Sequence, residues 1–445
     1  MVKVITYGTY DLLHHGHIRL LERAKALGDY LIVGVTSDDF DRDRGKINIQ
    51  QSLMERVEAV RATGIADEIV VEEYEGQKID DVRRLGVDIF TVGSDWVGKF
   101  DYLKEYCDVV YLDRTEGVSS TQIRSENKQI RLGFIGDWSK QEIKKYIKEC
   151  SYVNGIEIVG VSAETGISDK MPENLFEDYR DLIEQVDAVY IASAVSKRYE
   201  QIRYAVLKGR HVLCKSPVAM TGLQCAELYD LARSKNLILM DSIKTAYATA
   251  YNRLLLLAKS GKIGEILSVN VACTSLQELR IDKINQNHMW NSISSWGPTG
   301  LLPVYQLLGT EPRDVVITTK LADDIEDFDI FTKVDFTYKN AVASVRVGKG
   351  YKSEGELIVS GTLGYIYVPA PWWKTDYFEL RFEQAEDNKR YFYQLEGEGI
   401  RYELVAFIRS IRNQRSYSYV DQNVSEGIVD IIEKFYKKEN IKYLE

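Results

Sequence analysis

Apolar positions along the chain fall into two successive runs of short strand-like stretches alternating with helical periodicities, and then into a region of different texture. The first run opens with Lys3–Tyr10 (KVITYGTY), which predicts a strand. In the following His17–Leu27, residues Ile18, Leu21, Ala24 and Leu27 recur at helical spacing. Gly28 stands where a residue closing that helix in the left-handed conformation belongs. Further strands are predicted at Tyr30–Thr36, Glu68–Val71, Val87–Val92 and Val109–Leu112, with helices around Ser52–Thr63 and Ile79–Leu85. Strands alternating with helices predict parallel pairing in a doubly wound sheet.

The second run restarts at Gln129–Gly136 (QIRLGFIG), with a helix from about Gln141. Strands are predicted at Glu157–Ser162, Ala188–Ala192, His211–Cys214 and Leu237–Met240. From about Ile266 the segments lengthen and become β-branched and aromatic: Leu267–Ser275, Val315–Leu321, Phe328–Phe336, Ala341–Val347, Glu356–Ser360 and Tyr365–Val368. They predict a mostly antiparallel sheet, closed by helices at Tyr402–Arg412 and Val424–Lys437. The expected class is α/β: an N-terminal Rossmann-like domain over residues 1–126, a second Rossmann-type domain over 128–245, and an α+β sheet domain over 246–445. The join at Arg124–Ile130 (RSENKQI) is short and polar, without a Gly/Ser run, so packed or semi-rigidly connected modules are expected.

Composition narrows the picture. A chain of 445 residues exceeds one ordinary core. With 45% hydrophobic and 28% charged residues, and no window near 18 uninterrupted apolar residues, it reads as soluble, with no membrane partner. The N-terminus runs directly into a strand, and a cytoplasmic location is expected. A net charge of −10 with no basic stripe argues against a nucleic-acid partner. Five scattered cysteines (Cys107, Cys150, Cys214, Cys225, Cys273) without a C-x-x-C pair suit neither a disulfide framework nor a zinc site. Of five histidines, three fall within four residues, and the chemistry is sought there.

Residues Tyr7–His17 read YGTYDLLHHGH. A strand ends at Gly8, and His14 and His17 stand three apart at the start of the first helix, with Gly16 letting backbone approach a bulky anion. A helix N-terminus offers free N–H groups and positive potential to a triphosphate. Two imidazoles there can donate hydrogen bonds as charge builds on phosphate oxygens. Asp11 either caps the turn or orients a ligand or metal, and His15 faces elsewhere. Near the other end of the domain, RTEGVSST (Arg114–Thr121) follows a strand: Arg114 offers a planar fork for phosphate, and Ser119, Ser120 and Thr121 offer hydroxyls. One of those serines equally suits an N-cap. A loop carrying Arg42, Arg44 and Lys46 follows the second strand, on the edge where open α/β sheets bind ligands.

G-x-Y-D-x-x-H-x-G-H together with RTEGVSST resembles the cytidylyltransferase family, and within it the glycerol-3-phosphate cytidylyltransferases. The resemblance spans nearly all of residues 1–126 and includes GSDWVGKFD at Gly93–Asp101. It implies that His14 and His17 contact the CTP phosphates, with Lys46 and Arg114 balancing charge in catalysis. It further implies that Thr9, Tyr10, Asp11, Gly16, Arg56 and the Ser119–Thr121 hydroxyls hold nucleotide, and that Arg44, Asp95, Trp96 and Lys99 line the acceptor or base region. Magnesium accompanying CTP, a homodimer, and a CDP-alditol product destined for a surface polysaccharide or teichoic-acid-type polymer are implied as well. A phosphomonoester oxygen is already anionic near neutral pH, so positioning and charge stabilisation, with no general base, carry such a reaction.

Residues 128–445 resemble the Gfo/Idh/MocA oxidoreductases through IRLGFIG, VDAVYIASAVSKRYEQIRYAVLKGRHVLCKSP and SGKIGEILSV, which implies a fold that binds NAD(P). The functional positions depart from that pattern. In the G-x-G-x-x-G/A fingerprint Gly136 is kept, Trp138 replaces the second glycine and Gln141 the third. Ser162 stands where the ribose-binding acid is expected, with Glu164 two residues on. The family's Glu-Lys-Pro reads Lys215-Ser216-Pro217, and Lys215, if on a strand, points away from Ser216. The later acid and histidine fall on Ser295 and Thr299, and His288 and Trp290 stand close by in NQNHMWN. The expectation is a non-redox domain. The alternative is a bifunctional enzyme that reduces a sugar phosphate with NAD(P)H and caps the product with CTP. A third reading is a nucleotide- or sugar-phosphate-binding regulator.

Overall fold

Five parallel strands form the first sheet: β1 (Lys3–Gly8), β2 (Tyr30–Thr36), β3 (Glu68–Glu72), β4 (Ile89–Gly93) and β5 (Asp108–Leu112), in the order β3-β2-β1-β4-β5. Helices α1 (His15–Lys25), α2 (Asp38–Asp43), α3 (Leu53–Ala62) and α4 (Gln77–Leu85) connect them. Both faces are covered, so apolar side chains alternate between two cores. Val4, Leu31, Val33 and Val35 pack on one side with Leu21, Val57 and Val60. Ile5, Ile32 and Phe90 pack on the other with Val82 and Leu103. The computed structural model describes the chain apart from residues 44–48, 50, 75, 114–128, 139–140, 154, 164–173, 277–290, 324–327, 394 and 396, and the side chains of 42–43.

Contacts divide the chain into two compact units, Met1–Gln129 and Ile130–Glu445. The second unit begins with a six-stranded parallel sheet of β6 (Ile130–Gly136), β7 (Ile156–Ala163), β8 (Leu175–Phe176), β9 (Ala188–Ala192), β10 (His211–Lys215) and β11 (Leu239–Ser242), ordered β11-β10-β9-β6-β7-β8. Helices α5 (Gln141–Cys150), α6 (Tyr179–Gln185), α7 (Val195–Leu207) and α8 (Gly222–Ser234) join them, and α9 (Thr249–Lys259) leads onward.

A second, larger sheet then runs from β12 (Ile266–Leu276), past α10 (Ser292–Leu308), through β13 (Asp314–Leu321), β14 (Asp329–Thr337), β15 (Val342–Gly348) and the short β16 (Gly350–Tyr351). It continues with β17 (Leu357–Gly361), β18 (Gly364–Val368), β19 (Tyr377–Phe382) and β20 (Lys389–Phe392). Helices α11 (Ile400–Asn413) and α12 (Gln422–Tyr436) precede the last strand, β21 (Ile441–Tyr443). One hydrophobic cluster links Leu132 and Phe134 of the parallel sheet to Val269, Val345 and Phe407, so the two sheets of this unit share a core.

The larger sheet is mostly antiparallel, as expected, with two parallel pairs, β12 with β15 and β13 with β21. Two other features differ from expectation. Gly28 does not close α1 in a left-handed conformation: α1 ends at Lys25 with Ala26 as its cap. A Cβ at Gly28 would instead lie 2.6 Å from the Val2 carbonyl oxygen, so the glycine is there for close approach to the sheet. Helix α10 was not foreseen because Pro298 and Pro303 lie inside it, and proline ordinarily breaks a helix interior. Its burial compensates: Leu301 and Leu302 are fully buried, and Gly300 lets the helix approach Val345. Among the described residues no helix is long and apolar enough to cross a membrane.

Candidate functional site

Chain order in the first sheet reverses at β1, with β2 and β3 to one side and β4 and β5 to the other. An open parallel sheet binds ligands in the crevice beyond its carboxyl ends at such a point. The loop after β1 and the turn Ser94–Trp96 after β4 both emerge there.

In the first loop Tyr10 and Leu12 hold left-handed φ values of 53° and 49°. Such strain, on the order of 1 kcal/mol or more per residue, persists only where the surroundings over-determine it. Here they do. Gln51 N donates to Asp11 Oδ1 at 3.0 Å, and Leu12 N donates to Gln51 Oε1 at 2.8 Å. The fully buried Arg56 of α3 donates to the carbonyls of Gln51 (3.2 Å), Thr9 (2.6 Å) and Thr36 (2.8 Å), and pairs with Asp38. Thr9 Oγ1 donates to Asp41 Oδ1 at 2.9 Å, and Asp41 lies 3.7 Å from the Arg56 guanidinium.

His14 caps α1, its Nδ1 accepting from Gly16 N at 3.1 Å. That bond leaves Nε2 as the proton-bearing nitrogen of the neutral ring. His17 stacks on His14 with ring centroids 3.9 Å apart and planes 18° from parallel, and Tyr10 meets His17 edge-on at 5.6 Å. No acidic residue stands in the first turn of α1, so its positive end is not neutralised from within the helix.

Thr9, Tyr10, Asp11, His14, Gly16, His17 and Arg56 thus come together on one loop and two helix starts. Two expectations within this set change. Tyr10 is 2% exposed, and a Cβ on Gly8 would lie 3.0 Å from its ring, so it packs beneath the strand end rather than against a nucleotide. Arg56 spends its guanidinium on protein acceptors and positions the loop instead of touching ligand. Arg44, Lys46, Arg114, Ser119, Ser120 and Thr121 lie outside the described residues.

On the second loop Asp95 and Lys99 are exposed and Trp96 is half-buried. Lys99 Nζ sits 5.0 Å from the Trp96 ring centroid, and Trp96 packs on Phe100 at 5.8 Å. Sequence reasoning missed a buried polar cluster at the same edge. Lys78 pairs with Glu72 and lies over the Tyr7 and Phe100 rings, Tyr7 donates to Asp81 at 2.8 Å, and Thr36 donates to Glu72 at 3.0 Å. Burial, with Asp81 at its hydroxyl, keeps the Tyr7 phenol protonated. In sequence QKIDD reads as an ordinary solvated helix face, and only the fold buries it.

The second unit holds a cavity of about 350 Å³ beyond the strand ends. Ser216, Ser295 and Thr299, the positions matching the oxidoreductase lysine and its later partners, all line it. Lys215 lines it too, against expectation: β10 ends at Lys215, so strand alternation no longer governs Ser216. The His288 and Trp290 positions lie outside the described residues, as do Ser139, Lys140 and Glu164.

A dinucleotide fits this unit poorly. Gly136 is retained because a Cβ there would lie 2.8 Å from the Ala192 carbonyl carbon. Trp138, however, is only 9% exposed and packs into the core where the fingerprint needs a second glycine. In the first turn of α5, where pyrophosphate would seek free N–H groups, stands Glu142, paired with Lys215. Burial raises the Glu142 carboxyl, but Lys215 and Arg198 outweigh it and hold the group below its ordinary value, so the helix end already faces an anion. Ser162, at the end of β7, is 5% exposed and carries no charge for a ribose.

Comparison with known proteins agrees with this division. Residues 5–126 match the family described as cytidylyltransferase-like, and residues 131–242 the family described as oxidoreductase, NAD-binding Rossmann fold. Over 126 residues the chain is 49% identical to glycerol-3-phosphate cytidylyltransferase of Bacillus spizizenii, covering 28% of this chain and 97% of that protein. Over 130 residues it is 48% identical to the same enzyme of Staphylococcus aureus, covering 28% of this chain and 95% of that protein. In fold it resembles KijD10, a 3-ketoreductase from Actinomadura kijaniata solved with NADP and TDP-benzene, with TM-score 0.62 and 15% identity, over 72% of this chain and all of that one.

Proposed function

The chain belongs to the cytidylyltransferase-like family, and from that premise we propose that it transfers CMP from CTP to a small polyol phosphate of the glycerol 3-phosphate kind. The products are a CDP-alditol, an activated unit suited to a surface polymer, and pyrophosphate. The single observation carrying the reading is the stacked His14–His17 pair at the N-terminus of α1, at the switch point of the sheet.

An acceptor phosphate oxygen forms a new P–O bond to the α-phosphorus. The bond from that phosphorus to the β-phosphate bridging oxygen breaks, and its electron pair leaves on pyrophosphate. The attacking oxygen needs no base. His14 Nε2 and the His17 ring donate to phosphate oxygens as charge moves toward the leaving group. The first N–H groups of α1 and, from the expected set, Arg44, Lys46 and Arg114 add positive potential, while Ser119, Ser120 and Thr121 supply hydroxyl donors. Arg56, Thr9, Tyr10 and Asp11 hold the loop in register. Asp95, Trp96 and Lys99 face the acceptor. Magnesium, when bound with CTP, would offset the charge of the triphosphate.

We assign the second unit no redox step, because Trp138 and the Glu142–Lys215 pair stand where the dinucleotide would lie. Incubation with CTP and a panel of polyol phosphates, followed by mass analysis, tests the transfer: a CDP-adduct and pyrophosphate in equal amounts are expected. No adduct from any member of the panel would overturn it.

A further inference from the structure

We propose that the cavity of the second unit binds a small phosphorylated polyhydroxy compound directly, with no nicotinamide dinucleotide beside it. Charge is the first ground. Lys145 (3.0 Å), Lys374 (2.8 Å) and Lys244 converge on Glu398, which can neutralise only one of them. Lys215 pairs with Glu142, and Lys349 stands in the same wall, so the lining carries five lysines and two carboxylates. Burial raises Glu398, but the lysines more than reverse it and hold it well below the ordinary carboxylate range. Two further carboxyls lie behind the wall. Burial pushes Glu403 up to about 8, so it is mostly uncharged at neutral pH. Burial raises Asp241, which accepts from Ser216 Oγ at 3.1 Å, only to about 6, so it offsets one cation and leaves the lysines in excess. An excess of clustered ammonium groups with low-dielectric walls favours a multiply charged anion such as a phosphate monoester.

The second ground is the hydroxyl lining. Tyr146 and Ser242 face the cavity, 2.8 Å apart, each also donating to Glu403. Ser295 Oγ, also in the lining, is buried without a hydrogen-bond partner among the described residues. Buried hydroxyls are ordinarily satisfied, so this one calls for a polar ligand group. The third ground is apolar: Trp296 and Trp373 meet at 4.8 Å and offer ring faces to the C–H side of a carbon chain. Ammonium groups, hydroxyls and indole faces together match phosphate, hydroxyls and carbon backbone. The volume of about 350 Å³ suits a single small ligand.

This inference does not rest on the transfer reaction of the first unit, and its readout lies in different peptides. Hydrogen exchange of the full chain is followed with glycerol 3-phosphate, ribitol 5-phosphate and sorbitol 6-phosphate, against ribitol, inorganic phosphate and NADPH. At ten times Kd, at least one polyol phosphate slows exchange in peptides spanning 141–150, 239–247 and 397–403 by roughly tenfold. Ribitol and NADPH leave those peptides unchanged, and inorganic phosphate protects less. The paired changes Lys244→Ala and Lys374→Ala abolish the effect, while CTP still protects residues 9–17. No protection by any of the three phosphates overturns the proposal, as does equal protection by inorganic phosphate or protection by NADPH.

Discussion

The His14 and His17 rings stack 3.9 Å apart, and the His14 Nδ1 lone pair already accepts from Gly16 N–H. In the proposed transfer the pair donates hydrogen bonds to phosphate, while His14 also caps the helix. These duties separate experimentally. His17→Ala is expected to lower kcat about 100- to 1000-fold with the melting temperature nearly unchanged. His14→Asn retains a cap-forming side chain and so keeps stability, but loses activity comparably. Activity within a few-fold of wild type in either variant would remove the pair from the chemistry. Arg56 acts at one remove. Arg56→Ala strips a buried cation from Asp38, Asp41 and three carbonyls, and is expected to cost about 3–5 kcal/mol in denaturant unfolding of the first unit. The histidines were legible in sequence because their chemistry travels with local spacing. The roles of Arg56 and Tyr10 were not, because both depend on partners that only the fold brings near.

At the scale of elements, the strands were legible almost wherever burial on both faces leaves a continuous apolar run, as in β2 and β9. Helix α10 was hidden by two prolines that its packing against β15 and α12 tolerates. The cavity was half legible: Ser216, Ser295 and Thr299 marked its wall, whereas Lys244, Lys374 and Glu398 come from segments distant in sequence. Helix α11 carries Glu403, fully buried, whose carboxyl is pushed from an ordinary 4.5 up to about 8. The folded state therefore binds its proton more tightly than the unfolded state. That stabilisation is complete below about pH 4.5 and is lost as pH rises through about 8. The second unit is expected to melt progressively lower from pH 5 to pH 8, and Glu403→Gln to flatten that slope in a pH series of thermal scans. An unaltered slope in the variant would place the pH dependence elsewhere.

The whole molecule joins a cytidylyltransferase-like unit, in which a phosphate site is proposed at the loop–helix junction after β1, to a unit that keeps an oxidoreductase-type Rossmann fold. The resemblance of residues 1–126 to the cytidylyltransferases was visible because its motif, YGTYDLLHHGH, lies in contiguous sequence over one loop and one helix start. In the second unit the overall pattern was visible and the cavity chemistry was not, since a fold can persist while the residues at its strand ends change. NADH or NADPH offered with sugar phosphates is accordingly expected to show no loss of nicotinamide absorbance. Steady oxidation dependent on Lys215 would restore the bifunctional alternative. The central claim is tested most directly by one assay on the intact chain, with CTP, magnesium and glycerol 3-phosphate or ribitol 5-phosphate, read as pyrophosphate release and mass of the nucleotide product. The account predicts a CDP-alditol formed one-to-one with pyrophosphate and lost in His17→Ala; pyrophosphate without a CDP-product, or a product rate indifferent to His17, would contradict it.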